Sequence, residues 1–132
     1  MKRLVCALAL CLGLALAGPA AAASPAGYLV DMQGQRIEVA EFINLMDTFF
    51  CQYQDTELRL PLSEVKSLTR LADGDSLELT TTKGERFVVM GPLAVGQGEQ
   101  IQFRRRNPVS GQEQQGSIDP MLLKQIVFEW PQ

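Results

Sequence analysis

Apolar and polar residues alternate along most of this chain in short runs broken by glycine, proline and aspartate turns, the period of half-buried β-strands. Tyr28 to Gln33 reads as a strand, Gln33-Gly34-Gln35 as a tight turn, and Arg36-Ile37-Glu38-Val39 as the returning strand with Ile37 and Val39 on one face. Phe42 to Tyr53 carries two signals. Phe42, Leu45, Met46, Phe49 and Phe50 fall at helical spacing, whereas Thr48 to Tyr53 is rich in strand formers, and the strand reading is preferred. Leu58 and Leu60 alternate with Arg59 before Pro61, which lacks the N–H a central ladder needs and ends that strand. Val65 to Leu71, Ser76 to Thr80 and Arg86 to Met90, separated by turns at Asp73-Gly74 and Lys83-Gly84, describe a three-stranded antiparallel meander. After a loop around Gly91-Pro92 and Gly96-Gln97-Gly98, Glu99 to Arg105 is another strand. Asn107 to Gly116 reads as a polar excursion, its Gln112 to Gln115 stretch as a mobile connection, and Leu122 to Trp130 as the closing strand.

Some segments echo one another. Gln33-Gly34-Gln35-Arg36-Ile37-Glu38-Val39 matches Lys83-Gly84-Glu85-Arg86-Phe87-Val88-Val89 in its turn glycine, in the arginine two positions on and in the apolar residues in step. Leu60-Pro61-Leu62-Ser63-Glu64-Val65-Lys66-Ser67-Leu68 likewise matches Ile118-Asp119-Pro120-Met121-Leu122-Leu123-Lys124-Gln125-Ile126. Two halves emerge, 28–71 and 76–130, either a duplication or the chance likeness of hairpins.

Each half runs as hairpin, further strands, a proline-containing turn and a closing strand of the form apolar-Lys-polar-apolar. This layout resembles the Sm-like small β-barrel, and it covers most of residues 24–132; similar glycine-turn modules occur in uncharacterised exported bacterial proteins. The resemblance implies a mainly-β fold, an antiparallel meander forming one small barrel or two fused Sm-like half-barrels, with a short 3₁₀ turn between the fourth and fifth strands. The residues with which Sm-like proteins hold RNA have no counterparts here, so RNA binding does not follow from it.

The first 23 residues have a different character. Lys2 and Arg3 precede an apolar run from Leu4 to Ala17, followed by Gly18-Pro19 and Ala20 to Ala23, the layout of a secretory signal peptide cut before Ser24. The run is short of the roughly 20 residues a spanning helix needs, so no transmembrane anchor is expected after cleavage. Cys6 and Cys11 lack the small preceding residue of a lipoprotein site. The expectation is a periplasmic or secreted protein with one mainly-β domain over 24–132.

Export changes the charge balance. Residues 1–23 hold two of the 12 basic residues and none of the 15 acidic ones, leaving the processed chain at a net charge of −5. That sign argues against a nucleic-acid partner. A hydrophobic share of 46% with 20% charged residues is that of a globular domain.

No histidine occurs anywhere, which removes Ser-His-Asp and Cys-His nucleophile pairs, the usual zinc sites and imidazole acid–base chemistry. No metal or cofactor is called for. Arg104-Arg105-Arg106 is the one dense basic run; strand alternation puts Arg104 and Arg106 on one face and Arg105 with Ile101 and Phe103. It is either a bidentate clamp for an anionic group or a solvated strand end that blunts an edge. Trp130, with Phe128 and Tyr53, forms either an exposed aromatic platform or the cap of a barrel end. Cys51, the one cysteine left after processing, is a buried small hydrophobe, half of an intermolecular disulfide or a reactive thiol.

The leading expectation is therefore an exported, non-enzymatic β-module that binds a protein or an anionic envelope component through an edge strand or the loop around Arg104 to Gln115, with homo-oligomers allowed. The alternative is a small hydrolase working through acidic residues such as Glu41 and Asp47 across a concave pocket.

Overall fold

The computed structural model describes residues 24–131, so the amino-terminal segment read as a signal peptide lies outside the described residues. The strands are β1 (Ala26–Asp31), β2 (Arg36–Val39), β3 (Glu41–Phe42), β4 (Thr48–Tyr53), β5 (Thr56–Pro61), β6 (Val65–Arg70), β7 (Ser76–Thr81), β8 (Arg86–Met90), β9 (Ile101–Arg106), β10 (Glu113–Ile118) and β11 (Leu123–Glu129). Single 3₁₀ turns, Leu62–Glu64 and Pro120–Leu122, precede β6 and β11. In the second, Pro120 starts the turn with its fixed φ and the Asp119 carboxylate accepts from the Met121 amide. The fold is mainly β, with antiparallel sheets.

Eight strands form one sheet in the order β2-β1-β11-β6-β7-β8-β4-β5, and three form a second in the order β10-β9-β3. The expected meander is β6-β7-β8. The expected barrel is not formed, because the end strands of the large sheet, β2 and β5, do not pair with each other. Closure requires every end strand to find a neighbour. Here the chain leaves the large sheet at Ala40, whose amide donates to the Arg104 carbonyl, and β3 then joins β9 instead.

The 42–53 stretch resolves as strand at both ends, β3 and β4, with a loop between rather than a helix. The region expected to be a polar excursion is corrected more sharply. Glu113–Ile118 is a full strand, paired with β9 from Glu113↔Arg106 to Ile118↔Ile101. Its local sequence lacks apolar alternation because the partner strand supplies the filling: the Phe103 ring lies where a side chain on Gly116 would sit, 2.9 Å from the position of an added Cβ. Only glycine fits opposite that ring.

Sequence neighbours are not always sheet neighbours. The β4–β5 hairpin joins the large sheet through β8, while the β9–β10 hairpin is held by β3. At the centre β6 meets β11 with Leu68 opposite Ile126, both fully buried, and the Gln125 amide donates to the Thr69 hydroxyl at 2.9 Å. Arg70 closes this seam by donating to the carbonyls of Leu123 and Pro120, each at 3.0 Å.

One hydrophobic cluster runs under both sheets, with Leu29, Phe42, Leu79, Ile101 and Phe128 among its members. Truncating one of these to alanine costs about 2–5 kcal/mol. Leu93 and Val95 join the cluster from the loop between β8 and β9, and the Met46 amide bonds to the Val95 carbonyl.

Candidate functional site

The three arginines end β9. Alternation holds as expected: Ile101 and Phe103 are buried, Arg104 and Arg106 share the opposite face, and Arg105 follows the buried parity but emerges exposed at the strand end. Arg104 is engaged, its guanidinium donating to Glu41 at 3.0 Å across the Glu41↔Arg104 register pair. Arg105 and Arg106 form no ion pair among the described residues. They stand opposite Gln114 and Glu113 of β10, whose other edge has no strand beside it among the described residues. The hairpin tip is closed by Asn107, whose side chain accepts from the amides of Val109 and Ser110.

Glu41 and Asp47, the acids of the hydrolase alternative, differ in setting. An open cleft of about 770 Å³ is lined by Phe42, Met46, Asp47, Ser63 and Trp130, among others, and Glu41 does not line it. Glu41 instead alternates outward next to buried Phe42 and is held by Arg104. The cleft-side loop is pinned by Asn44, which donates to the Gln100 carbonyl and accepts from the Gln102 amide.

Trp130 is half-buried rather than a free platform. Its indole N–H donates to the Val65 carbonyl at 2.7 Å, and its ring lies 5.3 Å from that of Phe128. Cys51 is 5% exposed, and burial pushes its thiol pKa up, away from the thiolate. A bridge to another chain there would require the β4–β5 hairpin to lift off the core. Among the described residues no group of three or more Cys, Asp or Glu side chains is gathered for a metal ion, and no helix is long and apolar enough to cross a membrane.

Two features escaped the sequence reading. A cavity of about 270 Å³ lies beside β5, floored by half-buried Tyr53, Leu58, Leu60 and Phe87, with the Tyr53 and Phe87 rings edge to face at 5.5 Å. Phe50, Val88 and Met90 expose an apolar strip on the outward face of β4 and β8. Both depend on β8 lying against β4, a contact between distant segments that no local pattern announces.

These features define an antiparallel β protein with sheet edges unpaired among the described residues and with exposed arginines one strand in from one of them. Comparison with models of known families, with characterised proteins and with solved structures gives no match, so the functional reading stands on geometry.

Proposed function

We propose that the chain is an exported, non-enzymatic β-module that binds an acidic protein segment along the edge of β10. The observation that carries this reading is the exposure of Arg105 and Arg106, without ion-pair partners among the described residues, one strand in from an open edge. An extended segment added to β10 gains main-chain hydrogen bonds from the edge and charge-assisted ones from guanidinium groups. Export rests on the amino-terminal pattern of residues 1–23.

The reading extends to architecture: two Sm-like halves that exchange their hairpins. Several equivalent contacts support it. Asp31 Oδ1 accepts from the amides of Gln33 and Gln35, and Thr81 Oγ1, at the matching place, accepts from Lys83 and Glu85. The Met32 amide donates to the carbonyl of Leu122, and the Thr82 amide to that of Glu64, so each turn docks on the other half's 3₁₀ turn. The β6–β11 seam pairs Leu68 with Ile126, which are aligned positions of the two halves.

Fluorescence anisotropy of a labelled acidic peptide titrated with residues 24–132 tests the site. Binding that weakens at high salt and falls at least about tenfold in Arg105→Ala/Arg106→Ala is expected. Equal affinity for both proteins overturns the arginine edge. Amino-terminal sequencing of the protein recovered from the cell exterior or periplasm tests export, with Ser24 expected first.

A further inference from the structure

The free edge of β5 has a property the arginine edge lacks: it is complementary to itself. The β4–β5 hairpin turns on Gln54 and Asp55, both with positive φ (51° and 66°), and its closing pair is Tyr53↔Thr56. In a two-residue hairpin of this type the closing pair is hydrogen-bonded, so Thr56, Leu58 and Leu60 direct their amides and carbonyls towards β4. The Leu62 amide, next in that series, does donate across to the Asp47 carbonyl. Glu57 and Arg59 therefore direct their backbone groups outward, along a side of β5 where no strand lies among the described residues. Their side chains are exposed and form a pair with each other at 3.3 Å.

We propose that two copies of this chain associate through β5, antiparallel about a twofold axis at Leu58. In that register Glu57 of each copy lies opposite Arg59 of the other, and the two pairs exchange four main-chain hydrogen bonds. Leu58 then meets Leu58, and Thr56 meets Leu60, on the inner face beside the Tyr53–Phe87 cavity.

The neighbouring registers are worse for stated reasons. A shift by one residue sets inward side chains against outward ones. A shift by two in one direction sets Glu57 against Glu57. In the other direction it sets Arg59 against Arg59 and leaves Glu57 opposite Pro61, which has no N–H to give. Charges on an edge commonly block pairing, but alternating opposite charges flanking a central leucine select one pairing instead. Six residues a side make a contact smaller than a standard interface, so the expected dimer is weak, dissociating in the micromolar range or above.

Sedimentation velocity over a concentration series, with circular dichroism to confirm folding, tests this on the chain from Ser24 to Gln132. The parent is expected to dimerise as concentration rises. Glu57→Arg places arginine against arginine and Arg59→Glu places glutamate against glutamate, so each variant alone is expected to associate at least about tenfold more weakly. Mixed in equal amounts, one chain brings two arginines and the other two glutamates, and dimers are expected to return. Folded variants that stay monomeric when mixed overturn the proposal, as does a parent that remains monomeric up to about 1 mM.

Hydrogen exchange gives a second readout. The amides of Glu57 and Arg59 are expected to gain protection with concentration while those of Leu58 and Leu60, already turned to β4, do not; the reverse order overturns the register. Both substitutions leave Arg105 and Arg106 in place, so acidic-peptide binding at β10 and self-association at β5 succeed or fail independently.

Discussion

Gly27 and Gly91 make a matched pair that isolates one steric contact in the fold. Both have φ of +150°, a conformation L side chains rarely adopt, so alanine at either site carries backbone strain of about 1–3 kcal/mol. Their surroundings differ. A Cβ on Gly91 would meet Cys51 at 3.5 Å, an ordinary contact, whereas a Cβ on Gly27 would lie 1.9 Å from the Val127 carbonyl oxygen. Carbon and oxygen normally approach no closer than about 3.3 Å, so β1 must move by more than about 1 Å. Gly27 stands opposite Phe128 in the β1–β11 ladder, and displacing that end forfeits two or three backbone bonds worth about 1 kcal/mol each. Gly27→Ala is therefore expected to cost about 3–6 kcal/mol, roughly 2–3 kcal/mol more than Gly91→Ala, against a total stability of about 5–15 kcal/mol for a domain this small. Urea unfolding of both variants, followed by circular dichroism and by the fluorescence of Trp130, the single tryptophan, measures the difference. Costs equal within about 0.5 kcal/mol would refute the collision and with it the close approach of β1 to β11.

Three further outcomes follow from local geometry. Buried Cys51, its thiol pKa raised by desolvation, should react with Ellman's reagent only as the protein unfolds, so modification tracks denaturant; rapid labelling of the folded chain at pH 8 would contradict its burial. Asp73 accepts from the Ser76 hydroxyl and from the amides of Ser76 and Asp75, which holds its pKa below the usual carboxylate value. Its contribution is thus present above about pH 4 and lost as pH falls through the depressed folded value. Asp73→Asn should flatten the acid limb of the urea midpoint against pH, and an unchanged limb would contradict the turn. Asp55→Gly relieves a left-handed residue in the β4–β5 turn and is expected to stabilise by about 1 kcal/mol in the same unfolding assay; a loss of stability would show that the Asp55 side chain holds the turn.

Glycine-marked turns were the most legible part of the fold. Asp73-Gly74 and Lys83-Gly84 announce the β6-β7-β8 meander, because a positive φ is accessible there without strain. The Gln54-Asp55 turn carries no such mark, and β10 carries no apolar alternation, since Phe103 fills the space in front of Gly116. Closure into a barrel was misread for a different reason: strand pattern reports which face is buried, not which strand ends a sheet. The same holds at the candidate site. Alternation located Arg104, Arg105 and Arg106, but the engagement of Arg104 by Glu41 and the freedom of the β5 edge follow from pairings between distant segments.

The β4–β5 and β9–β10 hairpins, which carry the two edges proposed as binding surfaces, are each tied to the rest of the fold by a short ladder. β4 meets β8 at the single register pair Gln52↔Met90, and β9 meets β3 at Glu41↔Arg104 and Phe42↔Phe103, flanked by bonds from the Ala40 and Ile43 amides to the Arg104 and Gln102 carbonyls, whereas β1 and β11 pair from Ala26↔Glu129 to Asp31↔Leu123. What holds the hairpins is side-chain burial by Phe49, Cys51, Ile101 and Phe103. Elements held that way open locally at lower free energy than the central ladder. Native-state hydrogen exchange should release the β4–β5 and β9–β10 amides before those of β1, β6, β7 and β11. A partner that pairs with either edge should slow that opening through mass action, whatever its chemistry. Uniform exchange across all the strands would instead mean that the chain opens as one unit, and occupancy of an edge would then stabilise every strand equally.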